Sequence, residues 1–206
     1  LWSMQKIYPL EPGDVFLFKT PFFFDVSVAE LFGWFMGDGK LGILAPGTGK
    51  EPAELLWATA YCNITHINFV PSLFSVFVDY LSDFPAAVAN LRSLRYIFLA
   101  GEELPPGPVQ RFRQLPLPRH IRLINLYGPT ETTVYASWYN LSRWDRMGPV
   151  PIGTPLPNMR LYILDRAGGV QPLGSTSFSH RLQRPSLHWR PPKTQMPMLA
   201  VPSGPV

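Results

Sequence analysis

The sequence has a single cysteine, Cys62, among its 206 residues. One cysteine excludes a disulfide within the chain and is typical of a reducing compartment, so we expect a cytoplasmic location. No apolar run approaches the ~18 residues that a membrane-spanning helix needs, and no signal-peptide pattern opens the chain. The sequence therefore predicts neither a membrane protein nor a disulfide-rich secreted one.

Acidic residues are missing from the last part of the chain. No Asp or Glu follows Asp165, whereas five of the 18 Lys and Arg residues do. Residues 1–165 thus hold 13 basic and all 14 acidic side chains, and the net charge of +4 arises after Asp165. Since the larger part of the chain has no basic excess, nucleic-acid binding is not expected.

Short apolar strands alternate with helical patterns along the chain. Strands are predicted at residues 15–18, 41–44, 64–70, 96–99, 121–125 and 160–164, and helices at 28–36, 52–61, 71–81 and 109–113. This alternation predicts βαβ units and hence an α/β fold with a parallel sheet covered on both faces. Open sheets of this kind bind ligands at the carboxyl ends of their strands.

The most informative segment is 125–133, Asn-Leu-Tyr-Gly-Pro-Thr-Glu-Thr-Thr, which follows a predicted strand. Its parts suit a nucleotide, because Tyr127 could stack on a base and Asn125 could hydrogen-bond the base edge. Thr130 could reach a phosphate, and Glu131 could hold Mg²⁺. The residues alone also permit a plainer interpretation, in which a strand and a turn precede a Thr-Glu pair that caps a helix.

The same segment resembles the signature of the adenylate-forming, AMP-dependent synthetases and ligases, most closely the amino-acid adenylation domains of nonribosomal peptide synthetases. Further segments resemble this family in its order and spacing: 2–5, 19–28, 69–72, 100–104 and 150–155. The resemblance covers residues 1 to about 171. It implies that residues 1–172 are a partial adenylation domain, part of the family's large N-terminal domain.

The resemblance also implies an ATP site. Thr130 would contact the α-phosphate, and Glu131 would coordinate Mg²⁺; these two are the implied catalytic residues. The residues implied to bind the nucleotide are Gly101, Glu102, Asn125, Tyr127 and Gly128. The implied partners are carrier-protein and condensation domains of a parent synthetase, with phosphopantetheine on the carrier as the acceptor of the activated amino acid.

Asp25 is implied to pair with the α-ammonium group of an amino acid, although the residues also permit a helix N-cap. Phe24 resembles the family's mobile aromatic residue. The rest of the implied substrate pocket is Val26, Ala29, Asn68, Phe98, Ala100, Leu126, Val134 and Tyr135. Because this set has no second charge, we expect a small or medium-sized neutral amino acid. His66 is expected to have the opposite strand parity from Asn68, or to be separated from it by a loop, and to be structural.

Residues 173–206 lack periodicity and acidic side chains, so we expect an irregular, disordered or frameshifted tail. Because the chain starts with Leu1, we expect it to begin within a longer reading frame. The family's phosphate loop and small C-terminal domain are expected outside this segment, so the segment alone is expected to be inactive. The alternatives are a fragment of an acyl- or aryl-acid ligase, which Asp25 argues against, and a non-catalytic pseudogene remnant.

Overall fold

A seven-stranded sheet organises the protein. The computed structural model describes residues 1–44, 47–163 and 198–202. The strands are β1 (Val15–Phe18), β2 (Lys40–Ile43), β3 (His66–Phe69), β4 (Tyr96–Leu99), β5 (Arg122–Tyr127), β6 (Ser137–Asn140), β7 (Thr154–Pro155), β8 (Met159–Ile163) and β9 (Met198–Pro202). The main sheet has the order β2-β1-β3-β4-β5-β6-β7, and β8 pairs with β9 in a separate two-stranded sheet.

In the described part of the chain, five α-helices accompany the main sheet. They are α1 (Trp2–Ile7), α2 (Val26–Gly33), α3 (Pro52–Tyr61), α4 (Pro71–Asp83) and α5 (Pro106–Gln114). Helices α3, α4 and α5 each have a proline in their first turn, where the missing N–H costs nothing. The longest of them has 13 residues, and none of the helices in the described ranges is long and apolar enough to cross a membrane.

The sheet is parallel in its first five strands and antiparallel beyond them. Strands β2, β1, β3, β4 and β5 run parallel, whereas β6 and β7 are antiparallel to their neighbours. A parallel connection needs a crossover of a dozen or more residues. Only residues 128–136 separate β5 from β6, so the chain must turn back on itself. The parallel sheet expected from the sequence is present in β1 to β5, and β6 and β7 extend it in the antiparallel direction.

The two faces of the sheet have different cores. Along β4, Ile97 and Leu99 join a large aliphatic and aromatic cluster beneath α3, α4 and α5, whereas Tyr96 and Phe98 join a second cluster on the other face. Ala29 of α2 belongs to that second cluster. Successive residues of a strand point to opposite faces, so β3 places His66 and Asn68 on the same face as Phe98.

Most predicted elements are present, with bounds that shift by a few residues. The expected helix at 28–36 is α2 followed by a 3-10 turn over Trp34–Met36. The structure adds α1 and β6, which the sequence patterns did not indicate. The predicted boundary at residue 172 and most of the predicted tail lie outside the described residues. Of that tail, only Met198–Pro202 is described, and it forms a strand paired with β8.

Candidate functional site

The strands β3, β4 and β5 end side by side at one edge of the sheet. Phe69 pairs with Leu99, and Leu99 pairs with Asn125, in parallel register. The residues that follow each strand therefore lie along a single edge. Three segments that were predicted separately from the sequence lie at this edge: 69–72, 100–104 and 125–133.

The turn after β4 is fixed by a glycine and a carboxylate. Gly101 has a φ of +91°, which favours glycine over any residue with a side chain. The next residue, Glu102, accepts hydrogen bonds from the backbone N–H and the hydroxyl of Ser72, at 2.9 and 3.0 Å. Ser72 lies in the first turn of α4, where a negative charge is stabilised by the unpaired N–H groups. These two hydrogen bonds thus connect the turn after β4 to the first turn of α4.

The loop between β5 and β6 is tightly folded. A Cβ atom on Gly128 would lie 2.6 Å from the carbonyl oxygen of Val134, so only glycine allows the loop to fold back there. Thr133 and Val134 have φ values of +65° and +74°. Such angles cost β-branched residues about 1–3 kcal/mol each and cluster at ligand-binding segments. Thr130 and Glu131 lie at the exposed tip of this loop, in a short 3-10 turn.

Asn125 and Tyr127 occupy different environments on β5. The buried amide of Asn125 donates a 2.8 Å hydrogen bond to the carbonyl oxygen of Pro151. This bond holds the segment 150–155, which also resembles the family, against the edge of the sheet where β3, β4 and β5 end. Tyr127 is half-buried, and its burial raises the pKa of its hydroxyl above the ordinary value. The ring therefore remains a neutral surface next to the loop.

A cavity lies on the face of the sheet that carries Phe98. Its volume is about 30 Å³. The residues that line it are Leu1, Met4, Gln5, Tyr8, Leu10, Phe16, Ala29, Gly33, His66, Asn68, Phe98 and Tyr135. Four of the predicted substrate residues thus line the same cavity: Ala29, Asn68, Phe98 and Tyr135. Three more pack in the same cluster as Phe98: Ala100, Leu126 and Val134.

Asp25 and Phe24 lie at the start of α2. Asp25 occupies the N-cap position, but its side chain makes no capping hydrogen bond. Its carboxylate is close enough to Tyr135 to raise the pKa of that hydroxyl, together with the larger effects of burial and of Glu30. Val26 packs against the Phe98 cluster. Phe24 is 55% exposed and stacks obliquely on Phe23, so it lies outside the cavity.

Sequence reasoning missed His66. The expected difference in parity from Asn68 was wrong, because both residues belong to β3 and residues two apart share a face. The imidazole is fully buried, with Nδ1 2.7 Å from the Thr65 hydroxyl, and it lines the cavity. Burial lowers the pKa of His66 to about 4, an effect that Asp14 opposes and Arg95 reinforces. Because the two residues are two positions apart in one strand, the sequence was sufficient to place His66 on the same face as Asn68.

Glu30 of α2 is a buried carboxylate. It accepts hydrogen bonds from the backbone N–H groups of Lys19 and Thr20, at 2.9 and 2.8 Å, and from the Thr20 hydroxyl at 2.6 Å. Burial lowers the pKa of the Lys19 ammonium, and Glu30 opposes that shift. Because three donors hold one carboxylate, α2 is fixed to the chain that leaves β1. This contact sets the position of Ala29 and Asp25.

The carboxylates of the described residues could bind a magnesium ion through one side chain and a nucleotide, but they do not form a site in which protein side chains surround the ion. Within residues 1–44 and 47–163, no group of three or more His, Cys, Asp or Glu side chains comes together. Mg²⁺ characteristically binds to one or two carboxylates and to the phosphates of a nucleotide. Glu131, exposed at the tip of the loop after β5, fits the role of that single carboxylate.

Comparisons with known proteins cover most of the chain. The family model described as "AMP-binding enzyme" matches residues 1–176. A component of the linear gramicidin synthase of Brevibacillus parabrevis is 44% identical over 175 residues, which are 84% of this chain and 3% of the relative. A component of the mycosubtilin synthase of Bacillus subtilis is 40% identical over 174 residues, which are 83% of this chain and 7% of the relative.

Solved structures give a consistent result. The chain is similar to the Vibrio cholerae adenylation domain AlmE, solved with glycyl-adenosine-5′-phosphate, at 25% identity and a TM-score of 0.70; the match covers 82% of this chain and 31% of AlmE. It is also similar to the nonribosomal peptide synthetase FmoA3 bound to AMPPNP, at 25% identity and a TM-score of 0.71, over 80% of this chain and 18% of that one. The chain spans less than a third of each of these proteins.

Proposed function

The chain belongs to the family of AMP-binding enzymes, and on this premise we propose that it is the nucleotide- and amino-acid-binding part of an adenylation domain. The reaction would join the carboxylate of an amino acid to the α-phosphate of ATP, with release of pyrophosphate. The aminoacyl group would then pass as a thioester to phosphopantetheine on a carrier protein, in nonribosomal peptide synthesis.

One observation carries this proposal: β3 and β4, which end at the edge where segments 69–72 and 100–104 lie, also supply residues that line the cavity. Segments 100–104 and 125–133 lie at the ends of β4 and β5, and the side chains of Phe98 and Leu126 lead from the same strands into the cluster around the cavity. A nucleotide bound at the edge would thus lie next to an amino acid whose side chain points towards the cavity. Two reactants held side by side react far faster than free ones.

The site residues would stabilise two kinds of charge: the negative charge of the phosphates and the positive charge of the α-ammonium group. Glu131 would hold Mg²⁺ and Thr130 would donate a hydrogen bond to the α-phosphate, which offsets the repulsion between two anions. Tyr127, Asn125 and the Gly101–Glu102 turn would form the walls of the adenine site. Asp25 would pair with the α-ammonium group, and this role favours an amino acid over a simple acyl or aryl acid. The apolar neighbours of the cavity favour a small or medium-sized neutral side chain.

Binding measurements on the full chain test the proposal directly. Aminoacyl-sulfamoyl adenosines mimic aminoacyl adenylates without reacting, so isothermal titration calorimetry can compare them with AMP and with the free amino acid. When two sites adjoin, linking the ligands typically strengthens binding by about 10²–10⁴-fold. A mimic that binds no more tightly than AMP, whatever its side chain, would show that no amino-acid site lies beside the nucleotide site.

A further inference from the structure

Four buried polar side chains surround the cavity without hydrogen-bond partners for their ends. Within the described part of the chain, seven buried side-chain N or O atoms lack a partner, and five of them belong to Tyr8, His66, Asn68 and Tyr135. These residues are 5%, 0%, 2% and 7% exposed, and all four line the cavity. An unpaired buried polar group costs about 1–3 kcal/mol, so their concentration around one space points to a ligand.

The unpaired atoms include both donors and acceptors. Asn68 presents its Nδ2 and its Oδ1, and Tyr8 and Tyr135 each present a hydroxyl. The Asn68 amide is near enough to the Tyr135 hydroxyl to lower its pKa slightly against the larger effect of burial. The two groups nevertheless fall short of hydrogen-bond geometry. A ligand that only donates, or only accepts, would leave part of this set unpaired.

His66 presents Nε2 to the cavity as a neutral imidazole. Its Nδ1 is engaged with the Thr65 hydroxyl at 2.7 Å, and burial keeps its pKa at about 4. Of the carboxylates nearby, Asp14 is engaged with Arg95 at 2.7 Å and Glu30 with Thr20 at 2.6 Å, and Asp25 is the one assigned to the α-ammonium group of the substrate. No Lys, Arg, Asp or Glu side chain is among the described residues that line the cavity. A charged ligand group would therefore be desolvated there without a counterion.

The cavity is a continuation of the predicted substrate pocket. Ala29, Asn68, Phe98 and Tyr135 belong to both. On the α2 side the wall is made of small residues, Ala29 and Gly33, so that helix leaves space in front of β3. The volume of about 30 Å³ exceeds the ~10–15 Å³ that one water-sized group requires, which leaves room for the last atoms of a side chain.

We propose that the end of the substrate's side chain enters this cavity, that it is a neutral group that both donates and accepts hydrogen bonds, a carboxamide or a hydroxyl, and that His66 and Asn68 select it. This inference rests on the proposed function, because it assumes that an amino acid occupies the pocket. It narrows the expected neutral substrates to those with a polar end. An apolar side chain of the same shape would leave five buried polar atoms unpaired.

Matched pairs of adenylate mimics test the inference on the full chain. Asparaginyl- and leucyl-sulfamoyl adenosine are nearly isosteric, as are the threonyl and valyl mimics, and each pair differs in hydrogen bonding at the end of the side chain. Titration calorimetry should show that one polar member binds roughly 10- to 100-fold more tightly than its apolar partner, since that ratio corresponds to the cost of unpaired buried groups. Apolar members that bind as tightly as the polar ones would overturn the inference while leaving the proposed function intact.

Variants assign the preference to the cavity. His66→Leu should bring the polar and apolar members of the preferred pair within about threefold of each other. His120→Leu is the matched control, because His120 is exposed and its Nε2 lies 3.1 Å from the Arg92 carbonyl oxygen, away from the cavity; it should keep the full ratio. Tyr135→Phe removes only one hydroxyl group from the cavity wall. It is the variant to measure if His66→Leu does not fold. An undiminished ratio in both cavity variants would remove these side chains from substrate selection.

Discussion

Asp25 holds a helix N-cap position without capping the helix. Ser, Thr, Asn and Asp are favoured there because their side chains accept a backbone hydrogen bond, yet Asp25 makes none to α2. The carboxylate instead influences Tyr135, one of the residues that line the cavity. The plain capping interpretation of Asp25 thus loses its physical basis, while the pairing with an ammonium group remains a prediction.

Replacing Asp25 should distinguish amino acids from des-amino acids. In Asp25→Asn, the Kd of an aminoacyl-sulfamoyl adenosine should rise roughly 10- to 100-fold, because a hydrogen bond to a charged group contributes about 1.5–3 kcal/mol. The Kd of the des-amino analogue should stay within about threefold. Asp83→Asn, at an exposed position at the end of α4, is the matched control. Equal weakening of both ligands would mean that Asp25 does not recognise the ammonium group.

Glu131 should affect only the magnesium-dependent part of nucleotide binding. With the wild-type chain, Mg²⁺ should strengthen the binding of AMPPNP, since the ion joins a carboxylate to the phosphates. In Glu131→Gln that gain should fall at least about fivefold, because an amide is a poorer ligand for a hard cation. Binding without Mg²⁺ should be unchanged. Glu103→Gln, which alters an exposed carboxylate near the same edge, should behave as the wild-type chain does.

Among individual residues, the sequence predicted which side chains lie near one another better than it predicted their hydrogen bonds. Asn68, Phe98 and Tyr135 were predicted for the pocket and line the cavity. The engagement of Asn125 with Pro151 was not predictable, because it joins residues 26 apart through a loop whose path no local pattern specifies. His66 could have been predicted from strand parity alone.

Among the helices and strands, α2 depends on one buried carboxylate. Helix α2 has eight residues and no side-chain cap, so its own hydrogen bonds are a weak source of stability. Glu30 compensates by accepting three hydrogen bonds from Lys19 and Thr20. The position of the helix, and with it one wall of the cavity, therefore follows from a contact outside the helix.

Glu30→Gln should destabilise the protein strongly for a change of one atom. The amide keeps one acceptor oxygen but turns an NH₂ group towards backbone N–H donors, so the free energy of unfolding should fall by about 2–3 kcal/mol. Urea unfolding followed by circular dichroism measures the change. Glu54→Gln, on the exposed side of α3, should shift the free energy of unfolding by less than about 0.5 kcal/mol. Similar values for the two variants would contradict the anchoring role of Glu30.

The elements differ in how clearly their sequences define them. Residues 52–61 and 96–99 were predicted with the observed bounds, because a proline marks the start of the helix and four apolar residues form a fully buried strand. Helix α1 has six residues and no side-chain cap, and β6 is the four-residue segment Ser-Trp-Tyr-Asn. Both depend on tertiary contacts rather than on local preference, so single-sequence patterns could not reveal them.

For the protein as a whole, the alternation of strands and helices was enough to predict the α/β class, and the motifs were enough to predict the family. Both predictions were confirmed, the first by the parallel strands β1 to β5 and the second by the match over residues 1–176. The antiparallel end of the sheet escaped prediction, because strand direction depends on the path of the loop at 128–136. The roles of the individual site residues stay predictions.

The free energy of unfolding should fall on acidification, over a pH range set by the pKa values of His66 in the unfolded and folded chain. Burial lowers the pKa of His66 from 6.5 to about 4 in the folded chain, so between these pH values the unfolded chain binds more protons. The free energy of unfolding is therefore highest above pH 6.5 and falls as the pH drops towards 4, by up to about 3 kcal/mol. Asp14, whose pKa is also lowered, should add a further loss only at still lower pH.

Chemical denaturation between pH 7 and pH 4 measures this dependence. His66→Leu should have a clearly shallower slope across the window, whereas His120→Leu, at an exposed position, should keep the wild-type slope. A slope in His66→Leu equal to that of the wild-type chain would mean that other groups cause the acid sensitivity.

The contact between Ser3 and Pro157 has a consequence for the timing of synthesis. The Ser3 hydroxyl donates a 2.8 Å hydrogen bond to the Pro157 carbonyl across 154 residues of sequence, and Tyr8 packs edge-on against Trp138. Helix α1 leaves the ribosome well before the partners that hold it. At roughly 5–20 residues per second, about 8–30 s separate the two. Because Met4, Gln5 and Tyr8 line the cavity, we expect the cavity to close only after Pro157 has been synthesised.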